Sequence, residues 1–123
     1  MSGNNILLDT NIILYLLNGD NTLIPLLEDK RLIVSFITEL ELLSLKKINE
    51  EEQSIVKRFL SECLIIDVNH RIKALTIFLR KKYSLKLPDC IIIATAIYLN
   101  TTIISADKEF TKVNDIDLFL YQK

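Results

Sequence analysis

Residues 88–105 read PDCIIIATAIYLNTTIIS, and this stretch decides the fold. Pro88-Asp89 opens a helix that runs through Leu99. The helix is apolar on most of its circumference, which places it centrally in the molecule. Asn100-Thr101 is a tight turn, and Thr101 to Ser105 is rich in β-branched residues and reads as a strand. A helix joined to a strand by so short a connection runs antiparallel to it. Asp89, at the start of the helix, therefore belongs near the C-terminal end of that strand.

The same alternation extends outward in both directions. Asn5 to Asp9 reads as a short buried strand and Asn11 to Leu17 as a helix stopped by Asn18-Gly19. A second helix is expected over Thr22 to Asp29, a strand over Leu32 to Ser35 and a helix over Thr38 to Lys47. Asn49 followed by Glu50, Glu51 and Glu52 starts another helix with a side-chain cap and acids in its first turn. Leu64 to Ile66 is the third strand. Asn69 caps a helix through about Tyr83, with Ile72, Leu75, Phe78 and Leu79 along one stripe. Asp117 to Leu120 is a possible fifth strand. Strands alternating with helices imply an α/β fold, a three-layer α/β/α sandwich around a parallel sheet of four to five strands.

Composition narrows the function. The 123 residues suit one domain, 1–123, with 50% apolar and 25% charged residues. The longest apolar run, Cys90 to Leu99, is too short to span a bilayer and is interrupted by Thr95. The first apolar run follows no basic region and carries Asp9 and Asn11, unlike a signal peptide, so a cytoplasmic protein without a membrane partner is expected. Cys63 and Cys90 form no CxxC pair and read as reduced, buried thiols. His70 is the sole histidine, which excludes HExxH zinc sites and Cys/His zinc fingers. With Gly3 and Gly19 the only glycines, neither a Walker loop nor GxGxxG exists. Chemistry here must run on carboxylates, hydroxyls and amines. The formal net charge of −1 argues mildly against a passive nucleic-acid binder. Arg71, Lys73, Arg80, Lys81, Lys82 and Lys86 nevertheless crowd one segment, either as a solvated helix face or as a phosphate-binding patch.

Four acids are of interest: Asp9, Glu41, Asp89 and Asp107. Asp9 ends strand one and Asp107 lies just beyond strand four. Glu41 lies early in the helix entered from strand two, and Asp89 opens the helix that feeds strand four. All four thus fall at the C-terminal edge of one sheet, where open α/β folds bind ligands. Each has a plainer reading: Asp9 as a helix N-cap, Asp89 as a first-turn acid, Thr38-x-x-Glu41 as a capping box, Asp107 as the cap of a short helix. Together the four repel one another unless a cation is present. Glu39 competes with Glu41, and the two lie roughly 200° apart around the helix.

Leu7-Leu8-Asp9-Thr10-Asn11, Ser35-x-x-Thr38-x-x-Glu41-Leu42, Pro88-Asp89 with Ala94-Thr95-Ala96, and Ile104-Ser105-Ala106-Asp107 together resemble the PIN domain. By pattern and size the similarity is to VapC-type toxins of toxin–antitoxin pairs, over nearly the whole chain. The resemblance implies that Asp9, Glu41, Asp89 and Asp107 are the acidic positions, Glu41 being preferred to Glu39, with Thr10, Asn11 and Ser105 in support. Ser105 stands where many relatives carry threonine, which keeps the hydroxyl. It implies a Mg²⁺- or Mn²⁺-dependent endoribonuclease, the metal on Asp9, Asp89 and Asp107. On that hypothesis Lys81, Lys82 or Lys86 of the basic segment would steer the RNA backbone. A small antitoxin and a homodimer are the implied partners. The alternative is a catalytically weak PIN-like module that acts by binding a partner protein or nucleic acid. Phosphoaspartate enzymes fit poorly, because Asp9-Thr10-Asn11 lacks the Asp-x-Asp of haloacid-dehalogenase-type phosphatases and no acidic pair precedes Asp9 as in response-regulator receivers.

Overall fold

A computed structural model of the protein describes residues 4–122. The expected domain, 1–123, extends past the described residues at both ends. Five strands, β1 (Asn5–Leu8), β2 (Arg31–Ser35), β3 (Leu64–Ile66), β4 (Thr102–Ser105) and β5 (Leu118–Leu120), form one sheet in the order β3-β2-β1-β4-β5. Every pairing is parallel, with Leu7 opposite both Ile33 and Ile103. Six α-helices connect the strands: α1 (Thr10–Leu17), α2 (Ile24–Leu27), α3 (Phe36–Leu43), α4 (Glu50–Ser61), α5 (His70–Lys82) and α6 (Leu87–Leu99).

Alternation along the strands divides the core in two. Leu7, Ile33 and Ile103 face a cluster with Ile72 and Leu79 of α5 and Ile92, Ile93 and Ala96 of α6. Their neighbours Ile6, Leu8, Val34 and Ile104 face Ile12 and Ile13 of α1, Leu27 of α2, Leu42 of α3, and Val56 and Leu60 of α4. Both sheet faces are therefore buried, as a fully parallel sheet requires. The helix expected around residues 88–99 has its core side chains Cys90 and Ile92 to Ala96 buried, and it returns to β4 through Asn100 in the left-handed conformation. Asparagine tolerates that conformation better than most residues.

Three local expectations are corrected. The helix over 22–29 is a 3₁₀ turn, Asn21–Leu23, followed by a single turn of α-helix. Asp20 caps the turn at Thr22, Pro25 supplies no N–H, and the left-handed Asp29 ends the run. α3 starts two residues earlier than expected and stops at Leu43, because Ser35 rather than Thr38 is its N-cap. In α5 the buried stripe runs through Ile72, Thr76 and Leu79, while Phe78 is exposed. Thr76 enters the stripe by donating its hydroxyl to the Ile72 carbonyl at 2.7 Å.

Candidate active site

The chain crosses from one half of the sheet to the other between β1 and β4. A crevice opens at such a point beyond the strands' C-terminal ends, and polar residues following the strands line it. Asp9 leaves β1 there, its own amide donating to the Ile104 carbonyl of β4 at 3.0 Å. The side chain is 5% exposed. Oδ1 accepts the Thr10 N–H at 2.8 Å and Oδ2 accepts the Ser105 hydroxyl at 2.6 Å. Ser105 Oγ in turn accepts the Asp107 N–H at 3.0 Å, and Asn11 Oδ1 accepts the Ala106 N–H at 3.3 Å. Hydroxyl and amide side chains thus tie the β4 exit loop to the start of α1.

Glu41 joins from α3. Its Oε1 lies 2.6 Å from the Thr10 hydroxyl, which also lies 2.9 Å from the buried Thr38 hydroxyl. Thr10 has one proton to give, so it donates to the carboxylate and accepts from Thr38. The capping-box reading of Thr38 and Glu41 is thereby overturned. Thr38 lies inside the helix, and its role is to hold Thr10. Glu41 is also one of the charges that act on Asp89.

Asp89 lies in the first turn of α6 and makes no capping bond. Asp107 does cap, accepting the Glu109 N–H at 2.9 Å at the start of a 3₁₀ segment, Lys108–Lys112. Asp9 and Asp107 therefore fill their plainer cap roles while standing in the acidic group.

Electrostatics bind the group together. Burial first, and then the charges of Asp89 and Asp107, push the Asp9 carboxyl up to about 6 against two hydrogen bonds that favour the anion. Asp89 is pushed up by partial burial and by Asp107, Glu41 and Glu109, with Lys86 pulling the other way. Among the described residues, no three His, Cys, Asp or Glu side chains stand as a ready ion cage. The carboxylates share a neighbourhood and repel one another, with Lys86 offsetting part of the charge at Asp89.

Asp89, Asp107 and Glu109 line a cleft of about 760 Å³ with Arg80, Tyr83, Ser84, Leu85 and Lys86. Of the three lysines expected to meet RNA, only Lys86 lines it; the Lys82 ammonium lies 5.4 Å from the ring centres of Phe78 and Tyr83. Sequence reading did not single out Glu109 or Thr38 for the site. Glu109 was detectable as the second acid in the short loop after β4, but the contact of Thr38 with Thr10 spans 28 residues and leaves no local pattern.

The PIN domain model matches residues 6–116. The chain belongs to the PIN domain family. No curated protein matches it. Among solved structures, this PIN domain is similar to a chain of VapBC2 from Rickettsia felis bound to a promoter DNA fragment, at 29% identity and a TM-score of 0.81, covering 96% of this chain and 99% of that one. A chain of a toxin–antitoxin complex from Klebsiella pneumoniae matches at 30% identity and a TM-score of 0.80, covering 93% and 95%. A chain of VapBC-1 from nontypeable Haemophilus influenzae matches at 25% identity and 0.78, covering 94% and 97%. Among the described residues, no helix of the PIN domain is long and apolar enough to cross a membrane.

Proposed function

We propose that this PIN domain is a metal-dependent endoribonuclease and the toxin of a toxin–antitoxin pair. The observation that carries the reading is the meeting of Asp9, Glu41, Asp89 and Asp107 at the crevice, with Asp9 buried and its carboxyl raised to about 6. Structural stability alone does not call for mutually repelling acids at one sheet edge. The donor set fits a hard cation. All its donors are oxygens, and Mg²⁺ binds through one or two carboxylates with the remaining positions filled by water or phosphate. A ready three-carboxylate cage is not needed for such an ion.

Asp9, Asp89 and Asp107 would hold Mg²⁺ or Mn²⁺. When bound, the ion lowers the pKa of water and neutralises charge on the phosphoryl oxygens. Ser105 fixes Asp9 and the Asp107 loop relative to each other, and Asn11 holds Ala106 between them. Thr10 orients Glu41 so that its free oxygen can direct the attacking water and take up its proton. Attack in line forms one P–O bond and breaks another, and the leaving oxygen departs with a proton. Lys86 offers positive charge in the same cleft.

Structural relatives seen in VapBC and toxin–antitoxin complexes support a small antitoxin as partner. An apolar groove lined by Leu14, Leu17, Leu45, Ile48, Ile55 and Val56, with Leu45 and Ile55 exposed, is a suitable seat for it. The exposed Ile77, Phe78 and Leu87 are consistent with a homodimer. The cytoplasm, where RNA and antitoxin meet, is the proposed location.

Cleavage of a pool of structured RNAs, tRNA included, tests the reading with Mg²⁺, with Mn²⁺ and with chelator, in wild type and Asp89→Asn. Cleavage that needs both metal and Asp89 is expected. A folded, metal-replete protein that cleaves nothing would instead favour a module that acts by binding.

A further inference from the structure

The cleft beside the acids is lined by charges of both signs, and none of its acids is ion-paired with Arg80 or Lys86 among the described residues. Asp89, Asp107 and Glu109 line it together with Arg80 and Lys86. Neither Arg80 nor Lys86 forms an ion pair among the described residues. Lys112, a third cation at the rim, differs in being paired with Glu109 and donating to the Ser84 carbonyl at 3.2 Å.

Arg80 is held in place. One Nη donates to the Leu85 carbonyl at 2.7 Å, fixing the guanidinium at the lip of the cleft. Its remaining donors have no hydrogen-bond partner recorded among the described residues. A planar guanidinium matches the geometry of a phosphodiester, presenting two parallel N–H groups to two oxygens. Tyr83 also lines the cleft and offers an aromatic surface of the kind on which an unpaired base stacks.

A plainer role exists, since Arg80 stands in the last turn of α5, where cations favour the helix dipole. Lys81 and Lys82 already serve that end, so the dipole does not account for a guanidinium turned into the cleft. We propose that Arg80, assisted by Lys86, is the phosphate-binding wall of the site and holds a backbone phosphate of single-stranded RNA beside the phosphodiester that meets the acids. This rests on the nuclease reading above and extends it to the way substrate is gripped.

Arg80→Gln and Arg80→Lys separate the two roles. Glutamine keeps a donor for the Leu85 carbonyl and removes the charge, and lysine keeps the charge. The probe is a fluorescent single-stranded oligoribonucleotide, read by anisotropy in chelator over a range of salt and by cleavage kinetics with Mg²⁺. Arg80→Gln should raise Kd and KM roughly tenfold and change kcat little. It should also flatten the salt dependence of binding by about 0.7 in log–log slope, one phosphate contact on a single strand. Arg80→Lys should recover most of the affinity, melting should match wild type in both, and Arg58→Gln on α4 should leave all readouts unchanged. If Arg80→Gln fails to fold, Lys86→Gln at an exposed side chain carries the same test with a smaller expected loss. Wild-type affinity and slope in a folded Arg80→Gln would overturn the wall while leaving the nuclease intact. Arg80-dependent binding without any wild-type cleavage would overturn the nuclease alone, and neither binding nor cleavage by wild type would overturn both.

Discussion

Replacing Asp9 by asparagine should stabilise the metal-free protein while destroying its proposed activity. The carboxyl is pushed from its ordinary 3.8 up to about 6, chiefly by burial. A raised acid binds its proton more tightly in the folded state than in the unfolded one. Its contribution is therefore neutral below the unfolded value, and stability is lost as pH rises towards about 6 and stays lost above it. Two units correspond to about 3 kcal/mol at pH 7.5. Asparagine removes that penalty and still offers Oδ1 to the Thr10 N–H. It weakens the link to Ser105, whose hydroxyl loses a charged acceptor. The shift to about 6 is already net of that bond, so the gain is up to about 3 kcal/mol, on the order of 10 °C in Tm for a chain of this size. Thermal melting of wild type and Asp9→Asn in chelator, at pH 7.5 and at pH 4, reads it directly. The gap should be present at pH 7.5 and close at pH 4, where the wild-type carboxyl is already protonated. Added Mg²⁺ should narrow it at pH 7.5 by stabilising wild type alone. A variant that melts well below wild type at pH 7.5 in chelator would refute the reasoning and make Asp9 a helix cap whose charge is structural.

Further tests address single residues. Glu41→Gln should cut RNA cleavage by roughly a hundredfold, in the range of a lost general base, while Glu39→Gln leaves kcat within about twofold; equal losses would undo the choice between them. Ile103→Ala, at a fully buried position under the site, should destabilise by about 2 to 5 kcal/mol in denaturant unfolding. A loss under 1 kcal/mol would mean a looser core than described. Cys63, with its thiol pushed up to about 11 by burial, should alkylate about a hundredfold more slowly at pH 8 than in unfolded protein, as mass spectrometry would show. Ile55→Asp should weaken capture of a co-expressed antitoxin by on the order of 3 kcal/mol, a charge left buried and unpaired, and spare RNA cleavage. Undiminished capture would move the antitoxin to another face.

Much of the fold was legible because its signals are local. The β3 strand, the side-chain cap at Asn49 and the stop at Asn18-Gly19 each depend on residues within a few positions of one another. Errors fell where a single residue overrode the pattern. Pro25 and the left-handed Asp29 shortened the second helix, and Thr76 entered the buried stripe by bonding back to Ile72. At the site, the positions of Asp9, Asp89 and Asp107 followed from antiparallel packing of short-linked elements. The choice of Glu41 over Glu39 needed helical geometry together with a motif.

What the sequence by itself determined was the parallel α/β architecture and the common sheet edge on which the acids stand. Periodicity, caps and short connections constrain the direction of each element, and direction alone sends four carboxylates to one end. Only the tertiary structure decided how they are held. The strand order puts β1 beside β4, so Ser105 reaches Asp9 across 96 residues and Thr10 reaches Glu41 across 31. It also decided which basic residues share the cleft. Arg80 and Lys86 enter it while Lys81 does not, because a helix turns by about 100° per residue and presents neighbouring side chains to different surroundings.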